Sequence, residues 1–161
     1  MSRFARRRAR LAAILSLSAM LAVPPRFAVA APVAVTGAWF RYLLSAIPAG
    51  GYMTLHNPGA TAMVLTGARS PACGSLLFHR SETGGGTDRM VRVRQITLPP
   101  RGQAVFAPGG YHLMCLSPHM HPGQTVTVTL RFADGSRQTA RFAVRGANGT
   151  PPATPMKMKM Q

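Results

Sequence analysis

The segment 125–144 constrains the fold of this chain more than any other. Its first part, TVTVTLRF, alternates threonine or arginine with apolar residues, and a period of two places one face of a strand in a core and the other in water. Asp134 and Gly135 follow, a dipeptide that favours a tight hairpin turn. The run RFAV at 141–144 alternates again. We therefore expect two antiparallel strands joined by a hairpin.

Similar short runs, rich in β-branched and aromatic residues and separated by Gly, Pro, Asn or Ser, recur throughout the chain after residue 31. They predict strands at 33–41, 51–56, 62–69, 75–80, 90–93, 103–106, 111–116, 125–132 and 138–144. No stretch after residue 31 has helical periodicity. Regularly spaced short strands with turn residues between them are typical of an antiparallel β-sandwich or a small barrel.

The first thirty residues have the features of a secretory signal peptide. Residues 1–10 are basic, residues 11–23 are apolar, and Ala28 and Ala30 are small residues before a cleavage point. The apolar run is short for a transmembrane span, although an uncleaved anchor is the alternative. We expect cleavage after Ala30, a periplasmic location, a single domain at 31–145 and a flexible Met- and Lys-rich tail at 146–161, with no transmembrane span left after cleavage.

The charge of the chain narrows the choice of function. Without residues 1–30, thirteen Lys or Arg face three Asp or Glu, a net charge of +10. The arginines are scattered and form no basic run, so we expect no nucleic-acid partner; acidic protein surfaces and anionic membrane faces fit better. Three carboxylates offer no paired-carboxylate or Ser-His-Asp arrangement, so no enzymatic activity is expected.

Candidate ligands for a metal concentrate in GGYHLMCLSPHMHPG at 109–123, which holds three of the five histidines of the chain. His112 and Met114 are two residues apart, so on a strand they face the same side and can bind one ion. His79 and Met90 flank the glycine-rich segment 81–89, which we expect to form the loop of a hairpin. The four residues follow the spacing H-x10-M-x21-H-x-M.

The chemistry of these four side chains selects the metal. Two thioethers and two imidazoles suit Cu(I), because soft sulfur prefers a soft ion. Zinc would favour cysteine thiolates or carboxylates beside its histidines. Methionine also needs no deprotonation, and it stays reduced where thiols pair as disulfides. Each residue taken alone has an ordinary structural interpretation, since methionine commonly fills cores.

The spacing of His79, Met90, His112 and Met114 resembles that of the periplasmic copper chaperones called the PCu(A)C family. GYMTLHN at 51–57, ARSP at 68–71 and GGYHLM at 109–114 resemble family segments, and the resemblance covers about 34–144. It implies a cupredoxin-like antiparallel β-sandwich or Greek-key barrel with these four residues as ligands. It also implies transfer of Cu(I) to the copper centre of a respiratory oxidase subunit or to another copper carrier, and we expect a monomer.

Two alternatives to this function remain open. A blue-copper electron carrier needs two histidines, a cysteine thiolate and a weak axial methionine. His79, Cys115, His119 and Met120 supply these residue types. However, His119 and Met120 are adjacent in sequence and rarely share an ion. A binding β-sandwich without a metal is the second alternative.

The other soft side chains lead to two further predictions. Cys73 and Cys115 lie beside the ligand strands in an oxidising compartment, so we expect a disulfide. Cys115 follows Met114 and should face away from the copper, although a role as a fifth ligand is the alternative. An auxiliary site for Cu(I) or Cu(II) is predicted where the tail meets the ligand-rich segment, with solvated side chains as the alternative. Its candidates are His119, Met120, His121, Met156, Met158 and Met160.

Overall fold

The computed structural model describes residues 32–84 and 87–147, and every regular element in these ranges is a β-strand. The ten strands are β1 (Ala34–Arg41), β2 (Ala49–His56), β3 (Met63–Arg69), β4 (Cys73–Gly84), β5 (Thr87–Val93), β6 (Ile96–Leu98), β7 (Gln103–Phe106), β8 (Tyr111–Pro118), β9 (Thr125–Phe132) and β10 (Arg137–Arg145). The predicted all-β fold is therefore confirmed. Among the described residues, no helix is long and apolar enough to cross a membrane.

The strands form one sheet in the order β5-β4-β8-β7-β2-β1-β10-β9-β3-β6, with β8 also pairing to β2. Strand β3 contacts β4, and β6 contacts β7, so the two halves of the sheet face each other across the core as in a sandwich. Most pairs are antiparallel, as expected. Two are parallel: β1 with β10, and β7 with β8.

The alternation that predicted the strands also places the core. Along β9 every second residue is buried, ending at Phe132, and the apolar residues of β10 join the same core. Phe40 of β1 and Phe142 of β10 are both fully buried, with ring centroids 5.1 Å apart. The predicted hairpin between β9 and β10 is confirmed, since Gly135 has a φ of +85° and its N–H donates to the Phe132 carbonyl over 3.1 Å.

Asn57 connects the end of β2 by hydrogen bonds to the segment that follows β6. It is only 2% exposed. Its side-chain amide donates to the carbonyls of Thr61 and Pro99 over 2.8 and 3.0 Å, and its side-chain oxygen accepts from the Gly59 N–H over 3.0 Å. A buried amide is stable only where both of its ends are bonded, and here they are.

The structure departs from the predicted strands in the region of the candidate ligands. The segment 81–89 was expected to be a loop, but β4 and β5 continue into it, with Ser81 opposite Met90 and Glu82 opposite Arg89. His79 consequently lies within a strand and not at its end. The residues of this polar hairpin do not alternate between apolar and polar types, so the strands predicted from the sequence were too short. Strand β6 was missed because three residues are too few to show a period.

Candidate metal centre

Strand pairing brings the four predicted ligands to one face of the sheet. His79 of β4 lies directly opposite His112 of β8, and Leu77 lies opposite Met114. Opposed residues of an antiparallel pair face the same side, so His79, His112 and Met114 share a face. Ser81, two residues after His79, lies opposite Met90. Met90 therefore joins the same face one step further along the hairpin.

The two histidine rings lie against each other. Their centroids are 5.9 Å apart, and the ring planes differ by 21°. His112 is buried, and its Nδ1 is 3.1 Å from the Gly110 carbonyl oxygen. A carbonyl only accepts hydrogen bonds, so Nδ1 carries the proton and Nε2 presents its lone pair. This bond between the ring and its own strand sets the tautomer that a metal requires.

Two ring nitrogens at this point are buried and have no partner in the structure, namely Nε2 of His112 and Nδ1 of His79. Leaving a buried polar atom unpaired costs about 1–3 kcal/mol, so buried polar atoms almost always have a partner. Two such atoms on neighbouring rings indicate a site that a ligand completes.

The protonation state of His79 suits a metal ligand. Burial lowers the pKa of this imidazole, and the neighbouring His112 and Arg92 lower its pKa further because each disfavours another positive charge. The neutral ring is therefore favoured at neutral pH, which leaves a nitrogen lone pair available to an ion.

A pocket of about 200 Å³ opens beside these rings. His112, Met90 and Met114 line it, whereas His79 does not; the His79 ring stacks against that of His112. Met90 is 63% exposed, and Met114 is partly buried. Met90 is thus the most exposed of the four side chains, and His112 is the most buried.

The pocket also has walls that the sequence analysis missed. Tyr52 lines it, and so does Gly50, which lies opposite Met114. A Cβ atom at Gly50 would come within 2.9 Å of the Tyr52 hydroxyl, so the absence of a side chain at this position makes room for the phenol. The consecutive glycines before Tyr52 were the available sequence signal, because a glycine within a strand often marks a close approach.

The charges around the pocket do not favour a hard divalent ion. The one carboxylate described near it, Glu82, is bonded to Arg80 and to Arg89, which together lower its pKa. Within residues 32–84 and 87–147, no group of three or more His, Cys, Asp or Glu side chains could hold a metal. The donor set is two imidazoles and two thioethers, which suits a soft monovalent ion.

The predicted disulfide is confirmed. Cys73 and Cys115 are bonded, with their Cα atoms 5.4 Å apart. Cys115 is fully buried on the core side of β8, facing away from Met114. No thiolate remains for a blue-copper centre, and the alternative of Cys115 as a fifth ligand also fails.

The residues predicted for an auxiliary site are not gathered by the described part of the structure. Met120 is 5% exposed and packs in the hydrophobic core, whereas His119 and His121 on either side of it are exposed. Met156, Met158 and Met160 lie outside the described residues.

Comparison with known proteins assigns this β-sandwich to a family. Residues 33–144 match the LpqE-like family, described as "Putative lipoprotein LpqE-like". A protein of Leifsonia xyli subsp. xyli described as "Putative lipoprotein Lxx21020" is 32% identical over 120 residues, which cover 73% of this chain and 72% of the relative. The chain belongs to the LpqE-like family, which is the family of PCu(A)C domains.

Solved structures of PCu(A)C domains have the same fold. The copper-bound PCuAC domain from PmoF2 is 27% identical and superposes with a TM-score of 0.59, covering 71% of this chain and 92% of that domain. The Cu(I) form of DR1885 from Deinococcus radiodurans is 31% identical, with a TM-score of 0.57, and covers 73% of this chain and 81% of that protein. The predicted resemblance is thereby confirmed.

Proposed function

We propose that this protein is an exported copper chaperone. It holds one Cu(I) ion as cargo between His79, Met90, His112 and Met114, and it passes the ion to the copper centre of a respiratory oxidase subunit or to another copper carrier. The observation that carries this proposal is the pair of buried, unpartnered nitrogens on the His79 and His112 rings, beside two thioethers on the same face of the sheet.

Two relatives of solved structure support copper as the cargo. One PCuAC domain is described as copper-bound, and DR1885 is described in a Cu(I) form. The donor set of this chain agrees with them, because thioethers bind Cu(I) far better than they bind zinc or a hard ion. The protein acts as a carrier, without catalysis of its own.

The position of Met90 supports transfer. At 63% exposure its thioether stands in water, so an acceptor can replace this ligand first and then reach the partly buried Met114. His112, the most buried of the four, would release the ion last. Exchange of ligands one at a time avoids a free ion in solution at any step.

The proposed location is the periplasm, reached through a signal peptide at 1–30. Those residues lie outside the described structure. The relative described as a lipoprotein supports export, and so does the disulfide, since disulfides persist in oxidising compartments.

A double Met→Leu variant tests the site. Met90→Leu with Met114→Leu removes both sulfurs at nearly unchanged volume, so the fold should survive. We expect Cu(I) affinity, measured by competition with a chromogenic chelator, to fall on the order of 100-fold, about 2.7 kcal/mol. X-ray absorption should lose its sulfur shell.

The matched control is Met63→Leu with Met120→Leu, two methionines away from the pocket. This control should keep the wild-type affinity. If the two double variants bind Cu(I) equally well, the four-residue site is wrong.

We also propose an auxiliary copper site formed by the tail and the loop after β8. The exposed pair His119 and His121 can chelate, and Met156, Met158 and Met160 offer soft donors. The burial of Met120 supports a core role for that side chain, so the auxiliary site would use the two histidines on the loop side. The lysines between the tail methionines would repel the copper cation and so weaken its binding at the auxiliary site. Weak binding suits a site that captures copper first.

A further inference from the structure

Residues 42–48, which connect β1 to β2, form an exposed apolar loop that the copper site does not explain. We call it the aliphatic loop. Leu43 is 43% exposed, Leu44 is 61% exposed and Ile47 is 42% exposed. These are three of the five large hydrophobic side chains that are exposed in the described residues. A cluster of such side chains on one loop usually marks a binding surface.

Aromatic and cationic side chains stand directly behind this loop. Trp39 packs on Tyr52 with ring centroids 4.8 Å apart, and the Arg145 guanidinium lies 5.0 Å from the centre of its ring. Arg41 is exposed and lies beside Arg145 in the pairing of β1 with β10. Tyr42 is half-buried, and its N–H donates to the Arg145 carbonyl over 2.9 Å.

This arrangement matches the layers of a lipid surface. Aliphatic side chains at the tip fit the acyl region, amphipathic Trp and Tyr rings fit the interface, and arginines fit the phosphate headgroups. A strand rises about 3.3 Å per residue, so Trp39 lies about 7 Å behind Arg41, within the depth of a headgroup layer. Leading back from the tip, the chain passes from the aliphatic side chains through Tyr42 and Arg41 to Trp39, which places the Trp39 ring among the headgroups.

The positive charge of the domain favours an anionic membrane over a second copy of this chain as the partner of this surface. Residues 32–147 contain eleven arginines and three acidic residues. Two copies of this chain would therefore repel each other if they met at this face. An anionic bilayer attracts the arginines, and it also accepts exposed leucines without needing a matching pocket.

We propose that the aliphatic loop inserts into the surface of a membrane that contains anionic lipid and holds the domain there reversibly. Arg41 and Pro48, at the two ends of the loop, also line the copper pocket. In the bound domain, the opening of the copper pocket would therefore lie beside the membrane. The proposal does not depend on copper, because neither insertion nor charge attraction uses the metal ligands.

Vesicle binding of the copper-free chain without the proposed signal peptide at 1–30 tests this proposal, because the basic and apolar signal segment could bind anionic vesicles by itself. Trp39 is the one tryptophan of the sequence and lies behind the loop, so its emission reports insertion. With vesicles that contain phosphatidylglycerol we expect binding, a blue shift of the emission and quenching by brominated lipid. Binding to phosphatidylcholine vesicles should be much weaker, and added salt should weaken binding to the anionic vesicles.

The triple variant Leu43→Ser, Leu44→Ser, Ile47→Ser should lower partitioning by up to about 1,000-fold, because each fully inserted aliphatic side chain contributes on the order of tenfold. Val105→Ser is the matched control, an aliphatic residue that is 48% exposed on β7, and it should bind as the wild type does. All variants share the same tail, so a difference between them reports the loop. Unchanged circular dichroism confirms that each variant is folded.

Two results would overturn the proposal. The first is an unshifted Trp39 emission when the wild-type protein is mixed with anionic vesicles. This result would indicate that the loop binds a protein partner instead of a membrane. The second is a folded triple variant that binds as tightly as Val105→Ser, which would mean that charge alone attracts the protein. Copper affinity, measured on the same variants, should be unchanged, so failure here is distinct from failure of the copper site.

Discussion

Gly51 shows how one missing side chain shapes the interior beneath the metal centre. It lies opposite Leu113, the residue after His112. A Cβ atom here would come within 2.5 Å of the Phe40 ring and 3.0 Å of the Leu113 Cβ. Phe40 and Leu113 are fully buried, so neither has space to withdraw.

Gly51→Ala should therefore destabilise the domain by about 3 kcal/mol, at the upper end of the cost of overpacking a core. Gly67→Ala is the control, since a Cβ at that strand glycine would meet no atom within 4 Å. That variant should be neutral or about 0.5 kcal/mol more stable, because alanine loses less backbone entropy than glycine. Urea unfolding measures both, and equal stabilities would contradict the packing described here.

Prediction of individual residues from the sequence succeeded where the two-residue period of a strand decides which way a side chain faces. His112 and Met114 share a face because strands alternate, and the same rule turned Cys115 toward the core. Tyr52 and Gly50 escaped prediction, because their place in the pocket depends on the pairing of β2 with β8, in which Gly50 lies opposite Met114, 64 residues later in the chain. The consecutive glycines mark a close approach, but no local pattern says which strand approaches.

Among the elements, the pair β4 and β8 carries most of the proposed metal site. Both histidines and Met114 lie on these strands, which are paired from Cys73 to Arg80, and the Cys73–Cys115 disulfide joins them across a sequence separation of 42 residues. The bond lies on the core side and the ligands on the outer side. It can therefore stabilise the strand pair without entering the metal centre.

Replacing both cysteines by alanine should cost about 4 kcal/mol of unfolding free energy, the chain-entropy value for a loop of this length. Cu(I) affinity of the folded variant should remain that of the wild type, because neither sulfur faces the site. Thermal unfolding together with chelator competition separates the two effects. A large loss of affinity in a folded variant would show that the disulfide positions the ligands.

Element boundaries were predicted well in apolar strands and poorly in the hairpin of β4 and β5. Strands β7 and β9 have the predicted bounds. The hairpin is longer than predicted because backbone pairing continues through residues such as Ser81, Glu82 and Arg89, which carry no apolar alternation. A strand with one buried face shows alternating apolar residues in its sequence, whereas a solvent-exposed pair of strands shows no such alternation.

At the scale of the whole molecule, we propose that the Met- and Lys-rich tail at 146–161 helps to load the copper site. Truncation after Arg145 removes the three tail methionines and leaves β10 complete. We expect the truncated chain to keep its tight Cu(I) site but to bind fewer copper ions or to load more slowly.

The informative control for this truncation is the full chain with Met156, Met158 and Met160 changed to leucine, which keeps the tail and removes its sulfurs. It should behave as the truncated chain does. Stopped-flow loading and equilibrium dialysis provide the rates and the stoichiometry. If all three proteins load equally, the tail binds no copper.

The order of strands across the sheet could not be read from the sequence alone. Short strands and tight turns predicted a sandwich, but they are compatible with several topologies, and the parallel pairs could not be anticipated. The resemblance to PCu(A)C domains supplied the cupredoxin-like fold as a whole. Local patterns indicate which residues form strands, whereas long-range packing decides which strands become neighbours.

The parallel pairing of β1 with β10 has a consequence for how the protein is made. The first strand of the domain is held between β2 and the last strand, so the sheet stays open along β1 and β9 until residues 137–145 have been delivered. When the chain is delivered from its N-terminal end, the strands that carry the proposed metal ligands emerge earlier and can pair before the sheet closes. A chain that stops short of β10 would present two unpaired edges to its neighbours, and open edges of this kind invite aggregation.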